Sequence, residues 1–423
     1  MNRHYTACTS FYFFTLLYFL VIIPHAGFSQ ETDLGTYIRL ALENNSELEA
    51  AYYEWQSSLF EKQASDTLPD PKIGYGYYIQ SVETRVGPQK NYLNASQMIP
   101  WLGKLKNRKR VAHQKALIAE QKLYVLTSSL IRKLKDTFYD QYFIEKSSQL
   151  TNENIALVNI LESVAQRRVQ VGASSADTIQ AQIEVNKLHD NLDSLKKKDQ
   201  SIIAKILALM NFTQTAYIKP PGNLFQTQWN IPKNINNDEL KKNNPSLILL
   251  ALQTEKEKAN YRLVCQDRYP DVTVGVNWID TGKSMTPTRD SGKDAIIASV
   301  SLNLPVWTST YRSRENSAKS QVLSATEYLS QKTQDLLAEY EDIVLRFEDA
   351  ERRASLYKGT LLPQAEQALE ILIESYKSGK TEFDRVLESQ RILLHFQLEY
   401  ERAMVDQAKA INAYEEITGA CRL

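Results

Sequence analysis

The sequence is poor in the residues that interrupt helices, with 14 glycines and 13 prolines among 423 residues. It has three cysteines, too few for a disulfide-built fold of this length, so its stability has to come from packing. Neither sign of charge is in excess: 50 Lys and Arg stand against 50 Asp and Glu. That removes the basic surplus of a nucleic-acid-binding chain, and no nucleic-acid partner is expected. Histidine occurs only five times. His4 and His25 fall near the N-terminus, and His113, His189 and His395 are scattered on helices, read as surface residues. There is no His-Glu-x-x-His, no phosphate-binding glycine loop and no nucleophile elbow. Gly74-Tyr75-Gly76 lacks the rest of a dinucleotide fingerprint, and Cys, His and Met do not cluster. No catalytic, cofactor or metal site is therefore expected, and the chain is read as a non-enzyme. Beyond the N-terminus no run is apolar enough for a membrane helix, so a mature chain in a membrane must cross it as strands.

What the sequence does have is Leu, Gln, Lys, Glu and Ala in abundance, the composition of long helices. The N-terminus reads as a targeting segment. Arg3 and His4 precede the apolar run Phe11 to Ile23, and Gly27-Phe28-Ser29 supplies small residues for cleavage. Residues 1–29 are the expected signal peptide. Cys8 precedes the apolar run rather than marking the cleavage point, so no lipid anchor is expected. The remaining thiols, Cys265 and Cys421, suggest no role; Cys265 reads as packed rather than reactive.

The chain repeats itself. Ala41 to Leu48 (ALENNSEL) answers Leu240 to Leu247 (LKKNNPSL). Leu68-Pro69-Asp70-Pro71 answers Tyr269-Pro270-Asp271-Val272, and each should stop a helix, because proline disfavours helix in the residue before it. Two strand-like stretches follow in each half, at 72–82 and 90–99, then at 270–280 and 294–304. They close on Ile99-Pro100-Trp101 and on Leu304-Pro305-Val306-Trp307. A long helical tract comes next in each half, broken once, at Val171-Gly172 and at Ser378-Gly379. The halves span 30–214 and 240–423, joined by a proline-bearing segment at 215–239.

The strands alternate. Val272, Val274, Val276 and Trp278 share a face, as do Ile296, Ala298, Val300, Leu302 and Leu304; Ile73, Tyr75, Tyr77 and Ile79 do likewise. Asn91 to Ile99 alternates less cleanly. Each stretch is close to the roughly 9–11 residues that cross a bilayer when tilted. Four strands cannot close around a pore, and lipid does not tolerate open edges, so several chains must share one barrel. Three chains would supply twelve strands. In the helices, Leu123, Leu126, Leu130, Leu134 and Phe138, and later Val185, Leu188, Leu192 and Leu195, mark coiled-coil seams. From Gly103 to Gln170 nothing breaks the helix. The basic run Lys104 to Arg110 reads either as a solvated helix start or as contacts to lipid phosphates.

Taken together these features resemble the TolC family of outer-membrane efflux proteins over nearly the whole mature chain. The most specific residues are Gln97-Met98-Ile99-Pro100-Trp101-Leu102-Gly103-Lys104, similar to that family's strand-to-helix junction. Arg168-Val169-Gln170-Val171-Gly172 through Asp177 and Ala181-Gln182 also match, as do Tyr376-Lys377-Ser378-Gly379 through Asp384, Ser389 and Gln390, similar to its hairpin tips. The resemblance implies a mainly α fold with a small β part: a long coiled-coil helical barrel plus a transmembrane β-barrel shared by a homotrimer, four strands per chain, with a two-fold internal repeat. It implies an outer-membrane location among lipid, a long periplasmic portion and no cofactor. The implied function is the exit duct of a tripartite efflux system, opened by a periplasmic adaptor and energised by an inner-membrane pump. Secretion of a polypeptide or polysaccharide through the same architecture, and a non-pore periplasmic scaffold, are the alternatives. The tip residues Arg168, Val171, Gly172, Asp177, Tyr376, Ser378, Gly379, Asp384 and Arg385 are implied to serve docking and gating. Pro100, Trp101, Gly103, Pro305 and Trp307 mark the strand-to-helix junctions. Counted from the glycines, Asp177 matches Asp384; counted from Gln182 and Gln390, it matches Arg385.

Overall fold

A computed structural model describes residues 34–212, 230–286 and 289–420. The expected leader at 1–29, most of the joining segment at 215–239, and Cys8 and Cys421 lie outside the described residues. The first half runs α1 (Leu34–Asn44), α2 (Ser46–Ala64), β1 (Lys72–Thr84), β2 (Gly87–Ile99), α3 (Lys104–Gln170) and α4 (Ala176–Leu209). The second half runs α5 (Asn237–Asn243), α6 (Pro245–Cys265), β3 (Val272–Thr281), β4 (Ala295–Leu302), α7 (Thr308–Leu356), α8 (Leu362–Lys377) and α9 (Phe383–Thr418). The order of elements is the same in both halves once α7 and α8 together are set against α3. Among the described residues no helix is long and apolar enough to cross a membrane.

Matching asparagines set the pivot of each half. Asn45 caps α2 by accepting from the Glu47 and Leu48 N–H groups, and its amide donates to the Leu209 carbonyl at 2.9 Å. Asn244 caps α6 by accepting from the Leu247 N–H, and its amide donates to the Ile417 carbonyl at 2.8 Å. Each side chain thus satisfies an orphan donor of one helix and an orphan acceptor of another. The helices it joins end alike: Asn211 (φ 57) and Gly419 (φ 69) adopt the left-handed conformation just past α4 and α9.

The four strands form one antiparallel sheet in the order β1-β2-β3-β4, leaving β1 and β4 as edges. Register places Tyr75, Leu93, Trp278 and Ile296 in one row across the sheet, and Ile73, Ala95, Val276 and Ala298 in the next. The opposite face carries Gly74, Asn94 and Asn277, then Ser96, Gly275 and Ser299. One face is thus apolar and the other mixed, mainly small or polar but with Ile297 completing the Asn94–Asn277 row and Tyr92 and Ile279 in the next; the weaker alternation of β2 still puts Leu93 and Ala95 on the apolar side. β4 stops at Leu302, short of the expected 304, because Asn303 instead exchanges bonds with Asp271 and the Leu304 carbonyl accepts from Val306 at 2.9 Å. At the far end the β3–β4 loop folds over the β1–β2 turn, with Gly282 and Gly292 donating to the Pro88 and Val86 carbonyls, both at 2.7 Å.

α3 is continuous for 67 residues, on the order of 100 Å at 1.5 Å per residue. Its counterpart in the second half departs from the single break expected at Ser378-Gly379. A π-helical turn, Tyr357–Leu361, separates α7 from α8. Pro363 has no N–H to give to the carbonyl four residues back, and its ring crowds that carbonyl, so the chain widens by one residue rather than breaking. The core falls into three clusters. One packs α1, α2, α3 and α4 around Leu134, Phe138 and Ile206. A second packs α5, α6, α7 and α9 around Leu240, Leu247 and Tyr340. The third, nearest the hairpin turns, joins the halves through Val158, Leu161, Leu369, Tyr376, Phe383 and Val386.

Candidate functional site

The two hairpin turns are built alike. After α3, Gly172 sits at φ 98, its N–H donating to the Val169 carbonyl and the next N–H, of Ala173, to Arg168, both at 3.0 Å. After α8, Gly379 sits at φ 76, its N–H donating to Tyr376 at 3.0 Å and that of Lys380 to Ser375 at 2.8 Å. This paired closure requires the left-handed conformation, which glycine adopts without steric cost. Val171, Ser378, Asp384 and Arg385 are exposed around these turns.

Three of the expected tip residues meet across the hairpins. The Tyr376 hydroxyl donates to the Asp177 carboxylate at 2.7 Å. The Arg168 guanidinium lies over the Tyr376 ring, 4.3 Å from its centroid. On the other side Phe383 packs at 5.1 Å, and Tyr376 is only 1% exposed. Burial, and then the bond and charge of Asp177, push the Tyr376 hydroxyl up to about 12, with Arg168 opposing the shift. The phenol therefore stays protonated at any physiological pH and stays a donor. Asp177 and Asp384 each stand second in their helices, α4 and α9, where a carboxylate meets the positive end of the helix dipole. Their surroundings differ: Asp177 is spent on Tyr376, while Asp384 is exposed. Asp384 and Arg385 line a groove of about 530 Å3 between α4 and α9, with Gln180, Ile183 and Lys187.

Two further links across the hairpins were not foreseen. Glu184, buried on α4, accepts from Arg391 at 2.7 Å. Gln390, fully buried on α9, donates to Asn154 of α3 at 2.7 Å. Gln390 belongs to the tip motif, but no local pattern names its partner, which lies 236 positions away.

The strand-to-helix junction of the first half is a second concentration of polar bonds. Lys104, read from the sequence as solvent- or lipid-facing, is instead buried and paired with Asp271 at 2.9 Å. Asp271 also accepts the Trp101 N–H at 2.8 Å, and the Trp101 ring stacks on Tyr269 at 5.3 Å. Gly103, at φ 92, lets the chain turn from strand to helix beside the Gln266 amide. Pro100 precedes this corner. In the second half Pro305 holds the same place, but Trp307 is 75% exposed. Of the scattered histidines, His189 and His395 are exposed, whereas His113 is half-buried, with burial and then Lys62 holding it below the usual imidazole range. Cys265 is free and half-buried at the end of α6. Among the described residues no three metal-ligating side chains group together.

Residues 237–420 match the family described as outer membrane efflux protein. CzcC, a cobalt-zinc-cadmium resistance protein of Cupriavidus metallidurans, is 21% identical over 388 residues, 90% of this chain and 88% of its own. The fold is shared with solved channels. VceC of Vibrio cholerae superposes with a TM-score of 0.77 at 16% identity, over 91% of this chain and 96% of its own. CusC superposes with a TM-score of 0.78 at 15% identity, over 94% of this chain and 95% of its own. The repeat, the apolar sheet face and the long helical hairpins are the parts of one object: residues 237–420 match the outer membrane efflux protein family, and the chain as a whole has the fold of solved outer-membrane channels.

Proposed function

We propose that three copies of the chain form the exit duct of a tripartite efflux system, gated at the hairpin tips. The leader at 1–29 is removed on export without a lipid anchor, leaving the two halves 30–214 and 240–423 joined by 215–239. Each copy brings four strands to a twelve-stranded barrel whose apolar face meets outer-membrane lipid. Each also brings its long hairpins to a tube that reaches into the periplasm. A periplasmic adaptor docks on the tips, around Val171, Ser378, Gly379, Asp384 and Arg385, and an inner-membrane pump supplies the energy. The duct itself does no chemical work.

The observation that carries the gate is the cluster of Tyr376 with Asp177 and Arg168. It ties the second hairpin to the first at the narrow end with one charge-assisted hydrogen bond and one cation–π contact. Adaptor contacts that compete for these groups shift the population towards an open end, by as much as their affinity for the two states differs. Tyr376→Phe combined with Asp177→Ala is expected to raise single-channel conductance in a planar bilayer; unchanged conductance would sink the gate assignment. Cargo choice lies with the pump, since residues lining a duct touch what passes only loosely. Divalent metal ions are the first cargo to test, through metal sensitivity of a deletion strain, because CzcC is named for such resistance.

A further inference from the structure

The sheet has two unpaired edges, and the internal repeat specifies what covers them. Laying Asp70 on Asp271 and Ile99 on Leu304 aligns the halves. Under that alignment the pair Lys72↔Ser96 becomes Thr273↔Ser301, and Tyr75↔Leu93 becomes Val276↔Ala298; both are the pairs observed. The two hairpins therefore repeat residue by residue, not only element by element. The central seam, β2 against β3, has no second instance inside the chain. Its equivalent would join β4 to β1.

We infer that β4 of one copy pairs antiparallel with β1 of the next in the register of the central seam, setting Leu302 opposite Ile73, Val300 opposite Tyr75 and Ala298 opposite Tyr77. This rests on the shared-barrel reading and goes beyond it by fixing the seam. Within the chain, Gln97↔Val274, Ala95↔Val276 and Leu93↔Trp278 are the parent pairs. The assigned register keeps each apolar row on one face across the boundary, where Ile73, Tyr75 and Val300 are each more than two-thirds exposed at the edges. A slip of one residue would carry every apolar side chain of the edge strand to the polar face. The polar rows also fit. In the chain Gly275 lies between Ser96 and Ser299, and an added Cβ would approach the Ser299 hydroxyl to 2.9 Å. Across the new seam Gly74 faces Ser301 and Gly76 faces Ser299, again glycine against serine.

The junction below the strands supports the same occupant. Inside the chain Trp101 covers Tyr269, and Asp271 holds Lys104. The equivalent positions at the edges are Val306 with Leu68, and Ser309 with Asp70. All four are exposed in the single chain. Val306 covers Leu68 of the next copy, and the Ser309 hydroxyl donates to the Asp70 carboxylate of the next copy.

The test is disulfide trapping in outer-membrane fractions, with Cys265 and Cys421 replaced by serine. Val300→Cys with Tyr75→Cys is expected to give, on oxidation, a reducible species of three chains. The slipped pairs, Val300→Cys with Ile73→Cys or with Tyr77→Cys, are expected to give at least several-fold less. Leu302→Cys with Ile73→Cys is the second correct pair, should Tyr75→Cys impair assembly. A slipped pair that traps as well as the correct ones overturns the register, as does a trimeric native mass with no trapping in any pair. A monomeric native mass overturns the shared barrel itself, which separates the two failures.

Discussion

The two halves of the chain share an order of elements but finish their strand-to-helix corners differently. In the first half the corner is closed by its own chain: Asp271 gathers Lys104 and the Trp101 N–H, and Tyr269 covers the Trp101 ring. In the second half the equivalent corner is bare, with Trp307 starting α7 without a side-chain cap and the Val306 N–H turned back onto Leu304. Duplication copies a module together with its need for a neighbour. Where the neighbour is the other half, the need is met within one chain. Where it is another molecule, apolar surface stays in the open until assembly.

The largest expected effect lies in that contrast. Lys104→Met strands the Asp271 carboxylate in a site where it is 15% exposed, and breaking a buried pair by removing one partner costs about 3–5 kcal/mol. Ser309→Ala, at the matching position of the other half, is expected to cost below about 1 kcal/mol, since it removes one neutral hydrogen bond. Thermal midpoints of the detergent-extracted protein compare the two directly; equal losses would erase the asymmetry. Next come the helix ends. Gly419→Ala combines a left-handed backbone with a new Cβ placed 2.2 Å from the Asn243 carbonyl oxygen, and is expected to cost about 2 kcal/mol or more. Gly172→Ala meets nothing within 4 Å and is expected to cost about 1 kcal/mol, the conformational part alone. The same melting series ranks them.

A smaller difference is expected at the paired asparagines. Asn244→Ala removes a cap at a site only 3% exposed, for a loss of about 2 kcal/mol, whereas the more accessible Asn45→Ala is expected to lose about 1 kcal/mol. The smallest effect is in pH. The Tyr376 hydroxyl is held above its ordinary 10 by burial and by Asp177. Its protonated form is favoured by the fold, so the contribution of the tie is complete below pH 10 and fades as pH rises to about 12. A difference titration of phenolate absorbance against Tyr376→Phe should show the lost hydroxyl ionising well above the ordinary tyrosine range. Ionisation of that hydroxyl near 10 would dissolve the tie.

Much of this was legible in the sequence because it is written in short-range signals. Alternation marked three strands clearly and β2 weakly, and proline with glycine marked strand ends and the hairpin turns. Repetition of those signals gave the two-fold plan. What stayed hidden depends on partners far along the chain. Lys104 heads a basic run and reads as surface, yet its partner stands 167 positions away. Glu184 and Arg391 look like ordinary helix charges until two hairpins bring them together, 207 positions apart. The equivalence of the tip acids was ambiguous by counting, because the two turns differ in how far they stand from Gln182 and Gln390. Helix position makes Asp177 and Asp384 counterparts, yet of the two, among the described residues, it is Asp177 that holds a hydrogen bond across the hairpins. The π turn was missed because a proline inside a helical pattern announces trouble without saying whether the helix breaks, kinks or widens.

That widened turn has a consequence for how the second hairpin coils. Along α7 the buried positions Tyr340, Phe347 and Ala354 recur every seven residues, and along α8 Leu369 and Tyr376 do the same. Between Ala354 and Ala365 the step is eleven residues. Sevens impose a left-handed supercoil, whereas an insertion of four, a stutter, unwinds it locally. The second hairpin is thus expected to lose its left-handed winding over the step from Ala354 to Ala365, which contains the π turn and the Tyr357–Phe396 ring contact, and to regain it towards the tips.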